Sequence, residues 1–168
     1  MKKKLSFIVL TLLFISSINA QKGFRMEVGV GPTTGESREY FSYTLLGNFY
    51  YLWDVSENIN IGPTTGVLVF LGEGNNTNGS NSAFGSIPDI YIPIAFAGRI
   101  NLSQTFSLGS DIGYGLSANA FSDSGGFYIR PIITYNLKEK FAIIGSYANI
   151  SESGGSASTI NLGVNFGF

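Results

Sequence analysis

The chain ends Ser158-Thr159-Ile160-Asn161-Leu162-Gly163-Val164-Asn165-Phe166-Gly167-Phe168. Ile160, Leu162, Val164, Phe166 and Phe168 fall on one face of this stretch, and Asn161, Gly163, Asn165 and Gly167 on the other. Strict alternation over this length predicts a strand with one apolar and one polar face. The same period recurs upstream. Phe24, Met26, Val28 and Val30 alternate with Arg25, Glu27, Gly29 and Gly31. Ile90, Ile92, Ile94 and Phe96 oppose Tyr91, Pro93, Ala95, Ala97 and Arg99. Phe106, Leu108, Ile112, Tyr114 and Leu116 oppose Ser107, Gly109, Asp111, Gly113 and Gly115.

Eight such segments are expected, at 23–31, 40–53, 59–71, 88–100, 106–117, 126–137, 141–150 and 158–168. The connections between them alternate in length. Residues 32–39, 72–87, 118–125 and 151–157 are longer and rich in Gly, Ser, Asn and Thr, whereas 54–58, 101–105 and 138–140 are short and polar. An even strand count with short turns at one end and longer loops at the other is the layout of a transmembrane barrel. The predicted fold is all-β: an eight-stranded antiparallel up-and-down transmembrane β-barrel.

What occupies the polar face supports this choice over a soluble sandwich, whose outer face meets water and carries Lys, Glu, Thr and Gln. Here that face is mostly Gly, Ser, Ala, Asn and Thr, small groups suited to the crowded interior of a narrow barrel. The charged residues of the strand bodies, Arg25, Glu27, Arg99, Asp111 and Arg130, all fall on it. None falls on the apolar face, where Arg or Lys at bilayer mid-depth costs about 2–4 kcal/mol. At roughly 2.5 Å of height per tilted residue, ten residues cover an apolar band of about 25 Å. A soluble barrel holding an apolar ligand needs polar outer faces that this sequence lacks. The aromatic residues cluster at strand ends. Phe49, Tyr51, Trp53, Phe106, Tyr135 and Phe141 lie beside the short turns, where an interfacial aromatic girdle is expected. Phe41, Tyr43, Tyr114, Phe127 and Tyr147 lie toward the other end and are expected to form its counterpart.

The 168 residues are 44% apolar and only 12% charged, with 22 glycines and neither cysteine nor histidine. One domain fits this length. The first twenty residues are read apart from it. Lys2, Lys3 and Lys4 precede an apolar run from Leu5 to Ile18, and Ser16 to Ala20 resembles a cleavage region, so residues 1–20 are expected to be a secretory signal peptide and 21–168 the barrel. The run is short of the roughly 20 residues of a spanning helix. Removing the three lysines leaves seven basic against eleven acidic residues, a net charge of −4. That sign argues against a nucleic-acid partner.

Together these features resemble the small eight-stranded outer-membrane barrels of Gram-negative bacteria, the group of OmpX-like proteins and the OmpA transmembrane domain. The resemblance rests on the signal peptide, the strand count and the alternating terminal strand Ile160, Leu162, Val164, Phe166 and Phe168 with its final aromatic. It implies residence in the outer membrane in contact with its lipid, and recognition of that last strand by the barrel-assembly machinery during insertion. Two features depart from the pattern. Leu46, Tyr50, Leu68, Phe70, Ile132 and Ile144 fall on the inward face, and Pro63, Pro93 and Pro131 fall within strands, where proline normally marks an edge or bulge.

The sequence carries few signatures of chemistry. No Gly-x-Ser-x-Gly elbow and no phosphate-binding Gly-Lys-Ser/Thr turn is present. Enzymes among the outer-membrane barrels use an active-site histidine. A Ser-Lys or carboxylate-only mechanism is formally open, but only three lysines follow the signal segment and two lie in one short turn. No enzyme, cofactor or metal is expected. Asp89, Glu73 and Asp123 near the long loops lack any Ca²⁺-loop spacing and read as solvated charge. The inward set Arg25, Glu27, Arg99, Asp111 and Arg130 reads as a polar network that fills the barrel, with a gated ion path as the alternative. Two functions follow: a non-enzymatic barrel with a structural or surface-contact role, meeting any extracellular partner through loops 72–87 and 118–125, or a narrow pore for small solutes.

Overall fold

The computed structural model describes residues 23–72, 88–118 and 125–168. The expected signal segment, most of the 72–87 loop and residues 119–124 lie outside them. Nine strands form a single closed antiparallel sheet: β1 (Phe24–Thr34), β2 (Tyr43–Tyr51), β3 (Trp53–Ser56), β4 (Ile59–Leu71), β5 (Asp89–Asn101), β6 (Phe106–Ser117), β7 (Gly125–Lys138), β8 (Phe141–Glu152) and β9 (Gly155–Gly167). β2 and β3 are two parts of one barrel strand, separated only at Leu52, and both pair with β4. The barrel therefore has eight staves. β1 pairs with β2 on one side and β9 on the other, which closes it. The ends of the described chain meet there: the Phe168 N–H donates to the Phe24 carbonyl (3.2 Å).

The apolar face points outward and the small, polar face inward, as the alternation predicts. Val28, Val30, Leu45, Ile92, Ile94, Phe96, Leu108, Ile112, Ile133, Ile160 and Leu162 are exposed on the outer surface, while Glu27, Thr44, Asn48, Arg99, Asp111, Arg130 and Asn165 are buried inside. In water such an inversion would leave a large apolar area uncovered, far beyond the few hundred Å² of a typical monomer. In a bilayer it is the stable arrangement, since closure also pairs the backbone without an edge.

Some expected boundaries move. β1 runs on to Thr34, past the strand end expected at residue 31. The 151–157 segment is not a long loop: β8 and β9 extend until only Ser153 and Gly154 turn between them. Its Gly and Ser content reads as loop, but in-register pairing from Glu152↔Gly155 onward costs such small residues nothing sterically. At the other end β3 reaches Ser56, so the turn expected at 54–58 shrinks to Glu57-Asn58.

Four prolines sit inside strands, and each coincides with a gap in one ladder. Pairing of β1 with β9 skips Pro32, that of the β2–β3 stave with β4 skips Pro63, that of β4 with β5 skips Pro93, and that of β7 with β8 skips Pro131. Pro has no N–H to donate, so a rung is lost on the side its nitrogen faces. In every case pairing resumes in the same register, so a barrel without edges accommodates proline by losing a rung and not by a bulge.

The β1–β2 connection is fastened down. A short 3-10 turn, Gly35–Glu39, follows β1, entered through Gly35 at φ +62°, a left-handed value that glycine adopts without strain. Its Ser37 Oγ accepts from the Ser158 N–H (2.7 Å), and Glu36 Oε2 accepts from the Ser156 N–H (3.1 Å). These bonds hold the turn against the start of β9.

Candidate functional site in the barrel interior

The inward residues sort into three tiers along the barrel. At the long-loop end Leu46, Leu68, Phe70, Tyr91, Tyr128 and Ile150 form an apolar cluster. Phe41, expected on the outer surface as a girdle residue, instead packs on this cluster, its ring 5.8 Å from that of Phe70. Phe41 precedes β2, so strand parity does not fix its direction. Of the inward apolar residues that depart from the usual pattern of a polar lumen, Leu46, Leu68 and Phe70 fill this end of the barrel, whereas Tyr50, Ile132 and Ile144 are buried outside this cluster.

The middle tier is ionic. Arg130, fully buried on β7, is the hub. Its Nη1 and Nη2 donate to the two carboxylate oxygens of Glu27 on β1 (both 3.0 Å), and its Nε and Nη2 donate to Asp111 Oδ2 on β6 (3.0 and 2.7 Å). Arg99 on β5 reaches the other Asp111 oxygen (2.8 Å). The Asp111–Arg130 contact joins directly paired residues of adjacent strands, whereas Glu27 reaches Arg130 across the lumen. Asn48, in the amide orientation that satisfies its neighbours, places its oxygen 2.9 Å from Arg130 Nη2. Bidentate guanidinium–carboxylate pairing is the strongest form of such contact, and each charge here meets its opposite, as burial requires. Gly109 makes the tier possible: a Cβ there would sit 2.4 Å from Arg99 Cδ.

The third tier, at the short-turn end, is a polar cup of about 850 Å³. Arg25, Arg99, Tyr50 and Asn165 line it, and Glu27, Asp111 and Arg130 do not. Asn165 accepts from Arg25 Nη1 (3.1 Å) and donates to the Tyr50 hydroxyl, while the Arg99 guanidinium lies 5.5 Å from the Tyr50 ring centre. Sequence reading places Tyr50 and Asn165 inward but does not reveal that they link Arg25 to Arg99. The contact joins strands that are distant in sequence, and no local pattern encodes it.

Of the five inward charges named from the sequence, Glu27, Arg99, Asp111 and Arg130 are in one network, and Arg25 stands apart on Asn165. The terminal-strand residues Ile160, Leu162, Val164, Phe166 and Phe168 all lie on the outer face. So do Phe49, Tyr51, Trp53, Phe106, Tyr135 and Phe141, clustered at the short-turn end. There Phe24 stacks between Phe49 and Phe168 (6.3 and 5.6 Å), Tyr51 meets Trp53 edge-on (5.3 Å), and Phe141 meets Phe166 (5.3 Å). Among the described residues no three His, Cys, Asp or Glu side chains are grouped to hold a metal ion.

A closed eight-stave barrel with an apolar exterior and a filled polar interior has counterparts among solved structures. The crystal structure of Ail, the attachment invasion locus protein of Yersinia pestis, superposes with a TM-score of 0.58 at 13% identity, over 88% of this chain and 99% of that one. This is the fold of the small outer-membrane barrels. The N-terminal β-barrel domain of Pseudomonas aeruginosa OprF shares it too (TM-score 0.51, 14% identity, 88% and 98% of the two chains). A designed transmembrane β-barrel does so at 11% identity and a TM-score of 0.54, over 88% and 96%. No protein-family model and no curated protein sequence matches the chain. The likeness is carried by architecture alone, as expected where strand parity constrains residue class and not identity.

Proposed function

We propose that this protein is an integral outer-membrane barrel, non-enzymatic and non-conducting, that holds its long-loop end at the cell surface in a structural or surface-contact role. The observation that carries the reading is the interior: a lumen occupied in succession by an apolar tier and a buried ion network. An eight-stranded barrel is just wide enough for side chains to fill, whereas open aqueous channels belong to 16 or more strands. Lipid of the outer membrane then covers the outer face, the aromatic cluster marks the periplasmic interface, and Ile160 to Phe168 present the strand that the assembly machinery engages. Contacts with extracellular molecules fall to the loops around 72–87 and 118–125. Planar-bilayer recording of the refolded barrel tests the closed lumen. Silent insertion is expected, and stable ohmic steps would favour the narrow-pore reading instead.

A further inference from the structure

Among the inward-facing charges of the strand bodies, three guanidinium groups meet two carboxylates. Arg130 takes both oxygens of Glu27 and shares Asp111 with Arg99. The remaining cation, Arg25, makes no ion pair among the described residues. Of its five N–H donors, one is spent on Asn165 Oδ1 (3.1 Å). Asn165 is itself held by its bonds to the Tyr50 hydroxyl and the Met26 carbonyl, so the Arg25 fork is oriented rather than free. That fork opens onto the polar cup, whose walls carry neutral hydrogen-bonding side chains such as Asn60, Asn101 and Thr134.

We propose that the cup is a binding site for a small oxyanion-bearing solute, a carboxylate or a phosphate, entering from the short-turn end and held by Arg25. Three physical features point the same way. A guanidinium half-withdrawn from water without a counter-charge is costly, and a bound anion restores the balance. Its planar fork matches carboxylate and phosphate oxygens two at a time. The barrel wall around the cup, of lower dielectric than water, concentrates the field of the Arg25 charge within it. Asp54, Glu57 and Glu139 also line the cup, as does Lys138. The three carboxylates disfavour multiply charged anions and leave room for a solute with a cationic end, so singly charged or zwitterionic molecules fit best. The inference goes beyond the closed-barrel reading and fails separately from it: conductance reports the tiers above Arg25, and anion binding reports Arg25 itself.

The test is an NMR titration of the isotope-labelled refolded barrel in nanodiscs, following the arginine side-chain N–H signals. Acetate and inorganic phosphate are the two probes, and chloride at matched ionic strength is the control. Saturable shifts of the Arg25 signal with at least one probe, absent with chloride, are expected. Arg25→Gln should weaken binding at least about tenfold, equivalent to about 1.4 kcal/mol, whereas Arg38→Gln in the β1–β2 turn should leave it unchanged. Shifts that chloride reproduces, or binding that survives Arg25→Gln in a barrel shown by gel shift to be folded, would overturn the proposal. Should Arg25→Gln not fold, the wild-type titration still decides, because saturation must then appear at Arg25 and not at Arg38.

Discussion

Replacing Arg130 by Met removes the hub of the ion network while nearly conserving volume. The substitution deletes four charge-assisted hydrogen bonds. It leaves Glu27 buried without a counter-charge and Asp111 with Arg99 alone. Breaking a buried pair by removing one partner costs about 3–5 kcal/mol, mostly because the surviving charge stays desolvated. The companion Glu27→Leu/Arg130→Met double variant removes both members of that pair and keeps the net-neutral Asp111–Arg99 pair. Replacing a buried pair by apolar groups is often nearly neutral, so the double variant should be at least about 2 kcal/mol more stable than Arg130→Met alone. Urea titrations of the barrel in lipid vesicles, read by the gel shift between folded and unfolded forms, measure both. A cost below about 1 kcal/mol for Arg130→Met, the range of solvated pairs, would refute the buried-network reasoning. So would simple additivity of the two single substitutions.

Further outcomes follow from the facing of the strands and the topology of the barrel. Leu108→Arg and Val164→Arg place a guanidinium against hydrocarbon and should each destabilise by about 2–4 kcal/mol. Asn161→Ser, whose buried amide makes no hydrogen bond in the barrel, should change urea stability little. Phe168→Asp removes a ring contact with Phe24 worth about 0.5–1.5 kcal/mol, yet outer-membrane abundance should fall sharply while the purified protein still refolds; wild-type abundance in cell fractions would dismiss the terminal-strand signal. Cysteines introduced at Ser153 and Ser103, in turns at opposite ends, should differ in intact cells, with a membrane-impermeant thiol reagent labelling only the first.

How far the sequence reaches depends on the scale of the question. Period-two alternation settles the stave count and the facing of nearly every strand residue, because a slip of one position would expose the whole polar face to lipid. It fails where parity has no hold. Phe41 lies just outside a strand and turns inward. Residues 151–157 look like loop by composition yet mostly pair. The prolines at 63, 93 and 131 suggest broken register, but register is a property of the whole ladder, and one missing donor does not reset it. The inward charges are legible as a set from Arg25 to Arg130. Their partners are not, since the Glu27–Arg130 contact spans the lumen and depends on barrel closure and stagger, which no window of sequence contains.

The central claim, that the alternating apolar face meets lipid, is tested most directly by a single fluorescent reporter on it. Leu162 is the most exposed apolar residue of β9, 65% accessible, and Trp53 is the only tryptophan. A Trp53→Phe/Leu162→Trp barrel in vesicles should be quenched strongly by lipids brominated deep in their acyl chains and hardly at all by aqueous acrylamide. Quenching by acrylamide without any effect of brominated lipid would show that face to be in water, and would contradict the account.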